Sequence, residues 1–343
     1  MSKQICMDAA SHMPKNVNAK NTVYSIDEAR AAIAKTIGAD SAEIYFTESS
    51  SMANAIAVNA AVKASNLKNP HVITTTMEDE ATLDACNHVA FGGAEVTYLD
   101  PITTGRVEVA MIENEIQANT CLITVTAANP ETGTSEPFTG IGTMATAHGI
   151  LFHTDASYGY GRMPINVKRS HLDMLSASAS CFGGPDGIGF LYISKETDAG
   201  KYVDEEFIDE AKISEMAAAA VQVTSVVADY MEKMRAIRNH FCERIFAEIE
   251  DVELNGHKDH HLVNHLNIRI KNVSAAVVQK ELAESDIQVG IGTGSRILGI
   301  IGKTKAESAE SVRFALTSDV TMEDTDTVVD RLKEIVTGQR VVL

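Results

Sequence analysis

The chain is short of positive charge. Its 343 residues contain 29 Lys and Arg against 47 Asp and Glu, which gives a formal net charge of −18. A surface of this sign repels nucleic acid and anionic membranes, and it favours solubility. We therefore expect neither nucleic acid nor a membrane as a partner, and we interpret the excess acids as solvated helix faces.

The chain also lacks a long uninterrupted apolar run. The most apolar stretch, residues 216–231, is rich in alanine and is interrupted by Gln222 and Asp229. A helix that spans a bilayer needs about 20 predominantly apolar residues, so this stretch predicts a packed helix. No basic segment followed by an apolar one appears near residue 1, and we expect no signal peptide.

Cysteine is scarce and scattered. The five cysteines are odd in number and lack the spacing of a metal site: Cys6, Cys86, Cys121, Cys181 and Cys242. This usage is typical of reduced thiols and predicts a cytoplasmic protein. Four histidines cluster at His257, His260, His261 and His265. Because no carboxylates of clear ligand geometry accompany them, a polar loop is favoured over a metal site.

Apolar runs rich in β-branched residues alternate with helical patterns between residues 26 and 155. Alternation of this kind indicates a mainly parallel sheet with right-handed crossovers. The predicted strands span residues 43–47, 70–75, 95–99, 120–126 and 149–155. The predicted helices span residues 26–37, 53–66, 79–89, 106–116 and 138–148.

The pattern changes after residue 195. Residues 202–250 contain neither glycine nor proline and predict one long helix or two. Residues 262–336 then predict a strand, a helix, two strands and a helix. With a globular composition and this length, the sequence predicts an α/β fold. The expected units are a large domain over residues 15–250 and a smaller α+β domain formed by residues 1–14 and 251–343.

Motifs occur in order along nearly the whole chain. They lie at residues 6–14, 44–58, 76–86, 129–133, 153–167, 172–195 and 311–316. They resemble the motifs of the cysteine desulfurases, the class V aminotransferase-like branch of the fold-type-I pyridoxal-phosphate (PLP) enzymes; NPETG, for example, resembles N-N-E-T-G. The resemblance implies a PLP-transferase-like fold, with a mainly parallel seven-stranded sheet sandwiched by helices, and a role in sulfur or iron–sulfur metabolism.

The segment that holds the cofactor in the family has a cysteine in place of the lysine. The family pattern S-x-H-K-x-x-G-P-x-G-I-G is matched by Ser178 and by GPDGIG, whereas Ser180 stands at the histidine and Cys181 at the lysine. The family holds PLP as a Schiff base with an amine, which a thiol cannot form. We therefore expect no bound cofactor.

The positions that contact the cofactor ring are only partly kept. The resemblance places Asp155 at the family's aspartate for the pyridinium nitrogen, and Asp79 at the histidine that stacks on the ring. A carboxylate over an electron-rich ring face is unfavourable, so Asp79 predicts a helix N-cap or a first-turn acid instead. The family's two amide side chains near the phenolic oxygen are replaced by Pro130 and Tyr158.

The phosphate positions are changed as well. The family's S-G-A-T turn corresponds to residues 48–51, which keep hydroxyls up to Ser51 but gain Glu48, whose charge repels phosphate. Ordinary helix capping is the alternative use of these serines. The family's R-x-G-T turn from a neighbouring subunit is absent, because no glycine lies between Gly200 and Gly256.

Two further positions concern the substrate. Ser295, in the GIGTGSR stretch, stands at the family's persulfide cysteine, and Arg313 matches the arginine that holds the substrate carboxylate. The stretch also allows an anion nest beside Arg296, although we favour a family loop that has lost its chemistry. A strand arginine also commonly forms a structural ion pair, which is the alternative for Arg313.

Cys181 itself allows two interpretations. A buried thiol packs as a small hydrophobe, and we favour this use. A reactive nucleophile needs a pKa lowered by nearby cations or by a helix N-terminus, whereas the local sequence SASCFGGPDG supplies an acid.

The sequence thus predicts a cysteine desulfurase-like pseudoenzyme, without PLP or desulfurase activity, that acts by binding or regulation. The alternative is a working enzyme, either a PLP-dependent cysteine desulfurase or lyase, or an enzyme based on Cys181. In the resembling family the cleft lies at a two-fold interface, so we expect a homodimer, with a mixed dimer with an active paralogue as a second form. A small anion is a further expected ligand of the cleft.

Overall fold

The structure is a computed structural model that describes residues 4–10, 22–204 and 209–341. The predicted domain boundary between residues 14 and 15 lies outside the described residues. The strands are β1 (Ile5–Met7), β2 (Ile44–Thr47), β3 (His71–Thr75), β4 (Glu95–Leu99), β5 (Thr120–Thr124), β6 (Leu151–Asp155), β7 (Met174–Ser178), β8 (Gly189–Ile193), β9 (Val252–Leu254), β10 (His265–Ile270), β11 (Ile287–Ile291) and β12 (Ser311–Ala315). The helices are α1 (Ile26–Ile37), α2 (Ser50–Ala64), α3 (Glu80–Phe91), α4 (Val109–Glu113), α5 (Phe138–His148), α6 (Glu210–Ser225), α7 (Val227–Glu248), α8 (Ala275–Ala283), α9 (Arg296–Ile300), α10 (Lys305–Ala309) and α11 (Met322–Val341).

Seven strands form one mainly parallel sheet in the order β2-β8-β7-β6-β5-β3-β4. The pairs from β4 to β7 are parallel, and β8 is antiparallel to both of its neighbours. All five residues of β3 and of β5 are buried, as expected for strands covered on both faces. The predicted α/β class and the seven-stranded sheet are confirmed.

Helices cover both faces of this sheet and form one core on each face. Successive strand residues point to opposite faces and therefore alternate between the two cores. In β5, Ile123 packs in the core formed with α1, α5 and α6, while its neighbour Leu122 packs in the core formed with α2 and α3. Four residues of α6 belong to the first core and are almost fully buried: Met216, Ala217, Ala219 and Ala220. Their alanine-rich sequence therefore serves helix-to-sheet packing within this chain.

A second sheet of five strands has the order β1-β11-β12-β10-β9. Strand β1 pairs parallel to β11, so the start of the chain completes a sheet that is otherwise built from residues after 251. Helices α7, α8 and α11 pack on this sheet in a core of their own. Helix α7 thus contacts the second sheet although it precedes residue 250, and the predicted domain division stays a prediction.

Two predicted elements differ most clearly from the structure. The helix predicted over residues 106–116 is limited to α4, and the amide of Val107, which precedes this helix, donates to Oε2 of Glu136 at 2.9 Å. The glycine-free stretch forms two helices, α6 and α7, that meet at Val226. Among the described helices, none is both long enough and apolar enough to cross a bilayer.

The core of the second sheet gives a first prediction. Phe314 is fully buried, and its ring lies 5.0 Å from that of Phe241 in an edge-to-face arrangement. Phe314→Ala leaves a cavity and is expected to lower the free energy of unfolding by about 3–5 kcal/mol in denaturant titrations. The control is Phe91→Ala, at a side chain that is 97% exposed. Equal effects of the two changes would contradict this packing.

Candidate functional site

The candidate site lies at one edge of the seven-stranded sheet, where the parallel strands β3, β6 and β7 end. Its centre is Asp155, the last residue of β6, which is only 7% exposed. Nδ2 of Asn54 donates to one carboxylate oxygen of Asp155 at 2.8 Å, and the amide of Ser157 donates to the other at 2.8 Å. Burial raises the pKa of Asp155 to about 6. No basic side chain among the described residues pairs with this carboxylate.

Asn54 holds the carboxylate in place from helix α2. Its amide nitrogen also donates to Oγ1 of Thr82 at 2.9 Å, and its carbonyl oxygen accepts from Oγ of Ser176. The fully buried amide therefore connects α2, α3, β6 and β7 at the site. Sequence reasoning missed Asn54, although it is one of the few polar residues in an alanine-rich helix, which was a signal that could have found it.

Two more carboxyl groups lie beside Asp155. Glu78 is 1% exposed, and its Oε1 accepts from Oγ1 of Thr75 at 2.6 Å and from the amide of Thr126 at 3.1 Å. Its Oε2 is buried without a hydrogen bond, and burial raises the pKa of Glu78 to about 8. Glu78 is therefore protonated at neutral pH, and it was also missed from the sequence.

Asp79 caps helix α3 by accepting from the amide of Thr82, which confirms the predicted N-cap.

The turn after β7 carries the predicted positions Ser178, Ser180 and Cys181. The hydroxyls of Ser178 and Ser180 lie 3.1 Å apart. Cys181 lies in a 310 turn, and burial raises the pKa of its thiol to about 11, with the charge of Asp155 acting in the same direction and Arg162 against it. The thiol is protonated at neutral pH, which favours packing over a reactive thiolate.

Tyr158 and Pro130 flank the same region. Burial raises the pKa of Tyr158, and Cys181 and Asp155 add to this effect. The carbonyl of Pro130 lies 2.9 Å from Nε2 of His265, whose pKa burial lowers to about 3, so a neutral imidazole donates this bond. At Gly133 (φ +72°) a Cβ would lie 2.4 Å from the His265 ring, so both the backbone conformation and the close approach of this ring require glycine at residue 133.

Arg313 is held in a buried ion-pair network. Its Nη1 lies 2.6 Å from Oε2 of Glu131, and its Nη2 lies 3.0 Å from Oδ1 of Asp8. The side chains of Arg313 and Glu131 are 11% and 12% exposed. Nδ2 of Asn267 also donates to Glu131. A substrate carboxylate at Arg313 would have to compete with two protein carboxylates.

The remaining predicted positions act as helix caps or lie at the surface. Oγ of Ser295 accepts from the amide of Leu298 and caps α9, and Arg296 donates to the carbonyls of Thr76 and Glu78. Ser51 is exposed in the first turn of α2, which is capped by Ser49. This arrangement matches the capping alternative for the serines of residues 48–51.

The histidine cluster forms a polar loop. The rings of His257 and His260 lie 4.6 Å apart, and Nδ1 of His257 accepts from two backbone amides. His265 instead lies on β10 and contacts Pro130. Within the described ranges, no group of three or more His, Cys, Asp or Glu side chains is arranged to hold a metal ion.

Comparison with known proteins shows the family. A family model described as aminotransferase class-V matches residues 6–328. The cysteine desulfurase IscS of Dictyoglomus turgidum is 31% identical over 340 residues, which covers 94% of this chain and 86% of that protein. The putative cysteine desulfurase IscS 1 of Bacillus subtilis is 30% identical over 329 residues, covering 91% of this chain and 87% of that protein. The chain belongs to the aminotransferase class-V family.

Within this family, the chain is a cysteine desulfurase-like protein. A solved NifS-like protein has the same fold, with a TM-score of 0.87 at 20% identity, covering 98% of this chain and all of that one. The structure of SspA in complex with cysteine gives a TM-score of 0.73 at 26% identity, covering 92% of this chain and 99% of the other. The predicted fold-type-I PLP-transferase-like fold is confirmed.

Two expectations from the sequence are wrong. The chain was expected not to be an enzyme, but relatives about 30% identical over most of its length are named as cysteine desulfurases, which are enzymes. No cofactor was expected, but the family and these relatives depend on PLP. That expectation rested on Cys181 at the lysine position, with Ser180, Pro130 and Tyr158 at three further cofactor contacts. A covalent link is only one of the contacts that hold a cofactor.

The residues of the site fit PLP in part. Asp155 fits the ring nitrogen, because a buried carboxylate without a protein cation is suited to a protonated pyridine. Cys181 does not fit a covalent attachment, since a thiol supplies no amine. An amine does lie beside the following loop, because a Cβ built at Gly187 would be 3.1 Å from Nζ of Lys212.

The buried Glu78 gives a pH prediction. Burial raises the pKa of Glu78 from its usual 4.5 to about 8, so the neutral carboxyl is compatible with the fold and its ionisation is costly. The stability of the wild type relative to Glu78→Gln should therefore fall as pH rises from 4.5 to 8. The full change should be several kcal/mol, at about 1.4 kcal/mol per unit of pKa shift.

Denaturant titrations at a series of pH values measure this difference. Glu80→Gln, at an exposed residue of the same turn, controls for the loss of one carboxyl group. A constant difference between wild type and Glu78→Gln across the range would show that Glu78 is not buried as described.

Proposed function

We propose that this chain is a PLP-dependent enzyme of the cysteine desulfurase branch that acts on cysteine, with the ring nitrogen of PLP held by Asp155. The observation that carries the proposal is the geometry of Asp155. Its carboxylate is buried, is oriented by Asn54 and Ser157, and pairs with no cation among the described residues. Burying an unpaired carboxylate is costly, and a pyridinium nitrogen would offset that cost.

The chain's own residues supply the other contacts. When bound, PLP supplies an electron sink for charge that develops on the substrate's α-carbon. Asp155 keeps a proton on the ring nitrogen. The N-terminus of α2, a helix of 15 residues capped by Ser49, offers backbone amides to the phosphate and must outweigh the repulsion from Glu48 just before it. Because Cys181 supplies no amine for a Schiff base, all of these contacts to PLP would be noncovalent.

We assign the substrate carboxylate to Arg313, where it would compete with the carboxylate of Glu131 for the guanidinium group. The guanidinium is already positioned by two carboxylates, and exchanging one carboxylate for another conserves its ion pairing. The pKa of Glu131 is raised by burial, which Arg313 opposes. If the substrate carboxylate displaced Glu131 from Arg313, Glu131 would lose the cation that lowers its pKa. The displaced carboxyl group of Glu131 would then be protonated more readily.

Titration of the purified protein with PLP, followed by visible absorption, tests the role of Asp155. Asp155→Ala is expected to weaken PLP binding about tenfold or more, because a charge-assisted hydrogen bond contributes about 1.5–3 kcal/mol. Asp155→Asn should keep part of the affinity, yet lose the conversion of cysteine to alanine, because an amide cannot hold the proton on the ring nitrogen. The sulfur atom that cysteine loses is measured as sulfide after reduction by added dithiothreitol. Asp27→Asn, at an exposed residue of α1, is the control.

Two results would overturn the proposal. One is equal PLP affinity in the wild type and Asp155→Ala. The other is a PLP-loaded wild type that, with dithiothreitol present as the reductant, yields no alanine or sulfide from cysteine above the rate without protein. Cys181→Ser should leave PLP binding intact, because Cys181 supplies no amine.

We also propose that the protein is a cytoplasmic homodimer. All five cysteines are free thiols in the structure, which supports a reducing compartment, and dimers are the commonest oligomers. The alanine-rich part of α6 gives no support to a subunit contact, because it is buried within the chain. Light scattering is expected to give twice the chain mass of 36.9 kDa. A monomer at micromolar concentration would contradict this, and co-purification with a coexpressed desulfurase would instead favour the mixed dimer.

A further inference from the structure

A groove separate from the candidate site lies between helix α7 and the segment around β9 and β10. Its volume is about 790 Å³, within the usual range for sites that bind small molecules. Basic and apolar side chains line it together: Arg235, Arg238, Phe246, Leu254, Lys258 and His261. None of its lining residues belongs to the group around Asp155.

Arg238 is the decisive residue of the groove. It is only 7% exposed, its Nε donates to the carbonyl of His265 at 3.1 Å, and its Nη1 donates to Oδ1 of Asn239 at 3.4 Å. These bonds fix the plane of the guanidinium and leave its other N–H groups to the groove. Burial lowers the pKa of Arg238, and no carboxylate contributes an opposing effect.

This arrangement differs from that of two arginines on strands of the second sheet. Arg313 pairs with Glu131 and Asp8, and Arg269 pairs with three glutamates. Among the described residues, no carboxylate pairs with Arg238. A buried charge without a partner is costly, so the arrangement is suited to an anion from outside the chain.

The rim and walls of the groove indicate what kind of anion fits. Arg235 and Lys258 are exposed at the rim, in a chain whose net charge is −18. Two acids, Glu243 and Asp259, also line the groove, which leaves an excess of one permanent positive charge. The walls are apolar, and Phe246 is 43% exposed.

We propose that this groove binds a small organic anion, with its phosphate, sulfonate or carboxylate group on Arg238 and a flat apolar body against Phe246. The acidic group completes the hydrogen bonding of a guanidinium that is already oriented, so little side-chain entropy is lost on binding. The apolar body covers an aromatic ring that otherwise faces water. The inference does not rest on the proposed PLP chemistry.

The test uses anilinonaphthalene sulfonate, a fluorescent probe with both an acidic group and a flat apolar body. Its affinity for the full-length protein is measured by fluorescence titration. Arg238→Gln is expected to weaken binding about tenfold or more, because it removes a charge-assisted contact. Lys258→Gln and Phe246→Ala should each weaken binding severalfold, since one removes rim charge and the other the apolar wall.

Matched controls lie outside the groove. Lys305→Gln removes one exposed positive charge from α10, and Phe91→Ala removes a ring that is 97% exposed. Both should leave the affinity unchanged. If Arg238→Gln does not fold, as judged by circular dichroism, the two exposed groove variants decide the question.

The outcomes separate clearly. Loss of affinity in the groove variants with unchanged controls supports the site, and the same pattern in the Asp155→Ala background shows that it is independent of the candidate site. Equal affinity in Lys258→Gln, Phe246→Ala and both controls would overturn the proposal, because the probe would then bind elsewhere.

Discussion

A single buried carboxylate sets the arrangement of the candidate site. Asp155 ends a central strand, and its orientation depends on Asn54, which is itself fixed by Thr82 and Ser176. Removing a carboxylate from water is tolerated only where donors surround it. Helix α2 must therefore stay at a fixed depth against the sheet, and its small buried alanines allow that close approach. The placement of β6, β7 and α3 follows from the same contacts.

Most of the fold could be predicted because its signals are local. The parallel strands are buried on both faces, so β3 and β5 appear in the sequence as short β-branched runs. Asp79 could be recognised as a cap from its place between a strand and a helix. Tertiary contacts account for the failures. Glu136 accepts a hydrogen bond from the amide of Val107 just before α4, and no pattern around residue 107 encodes that bond.

The site was harder to predict because its chemistry depends on long-range pairing. The motifs located Asp155, Cys181 and Arg313, but they could not show that Arg313 is paired with Glu131 and Asp8 from distant parts of the chain. The raised pKa of Glu78 likewise results from burial that only the folded chain produces. The cysteine at position 181 excludes a Schiff base with PLP at that position. It does not exclude the noncovalent contacts that other residues, such as Asp155, can make with the cofactor.

The placement of β1 affects how the chain can fold during synthesis. This strand is synthesised before the seven-stranded sheet, yet it pairs with β11, which is synthesised after that sheet, and Asp8 next to it pairs with Arg313. Contacts between such distant segments carry a large loop-closure cost. The seven-stranded sheet can be complete while the second sheet still awaits its partners. The residues of β1 must therefore remain unpaired until β11 has been synthesised, so shielding them from premature pairing becomes a requirement on the nascent chain.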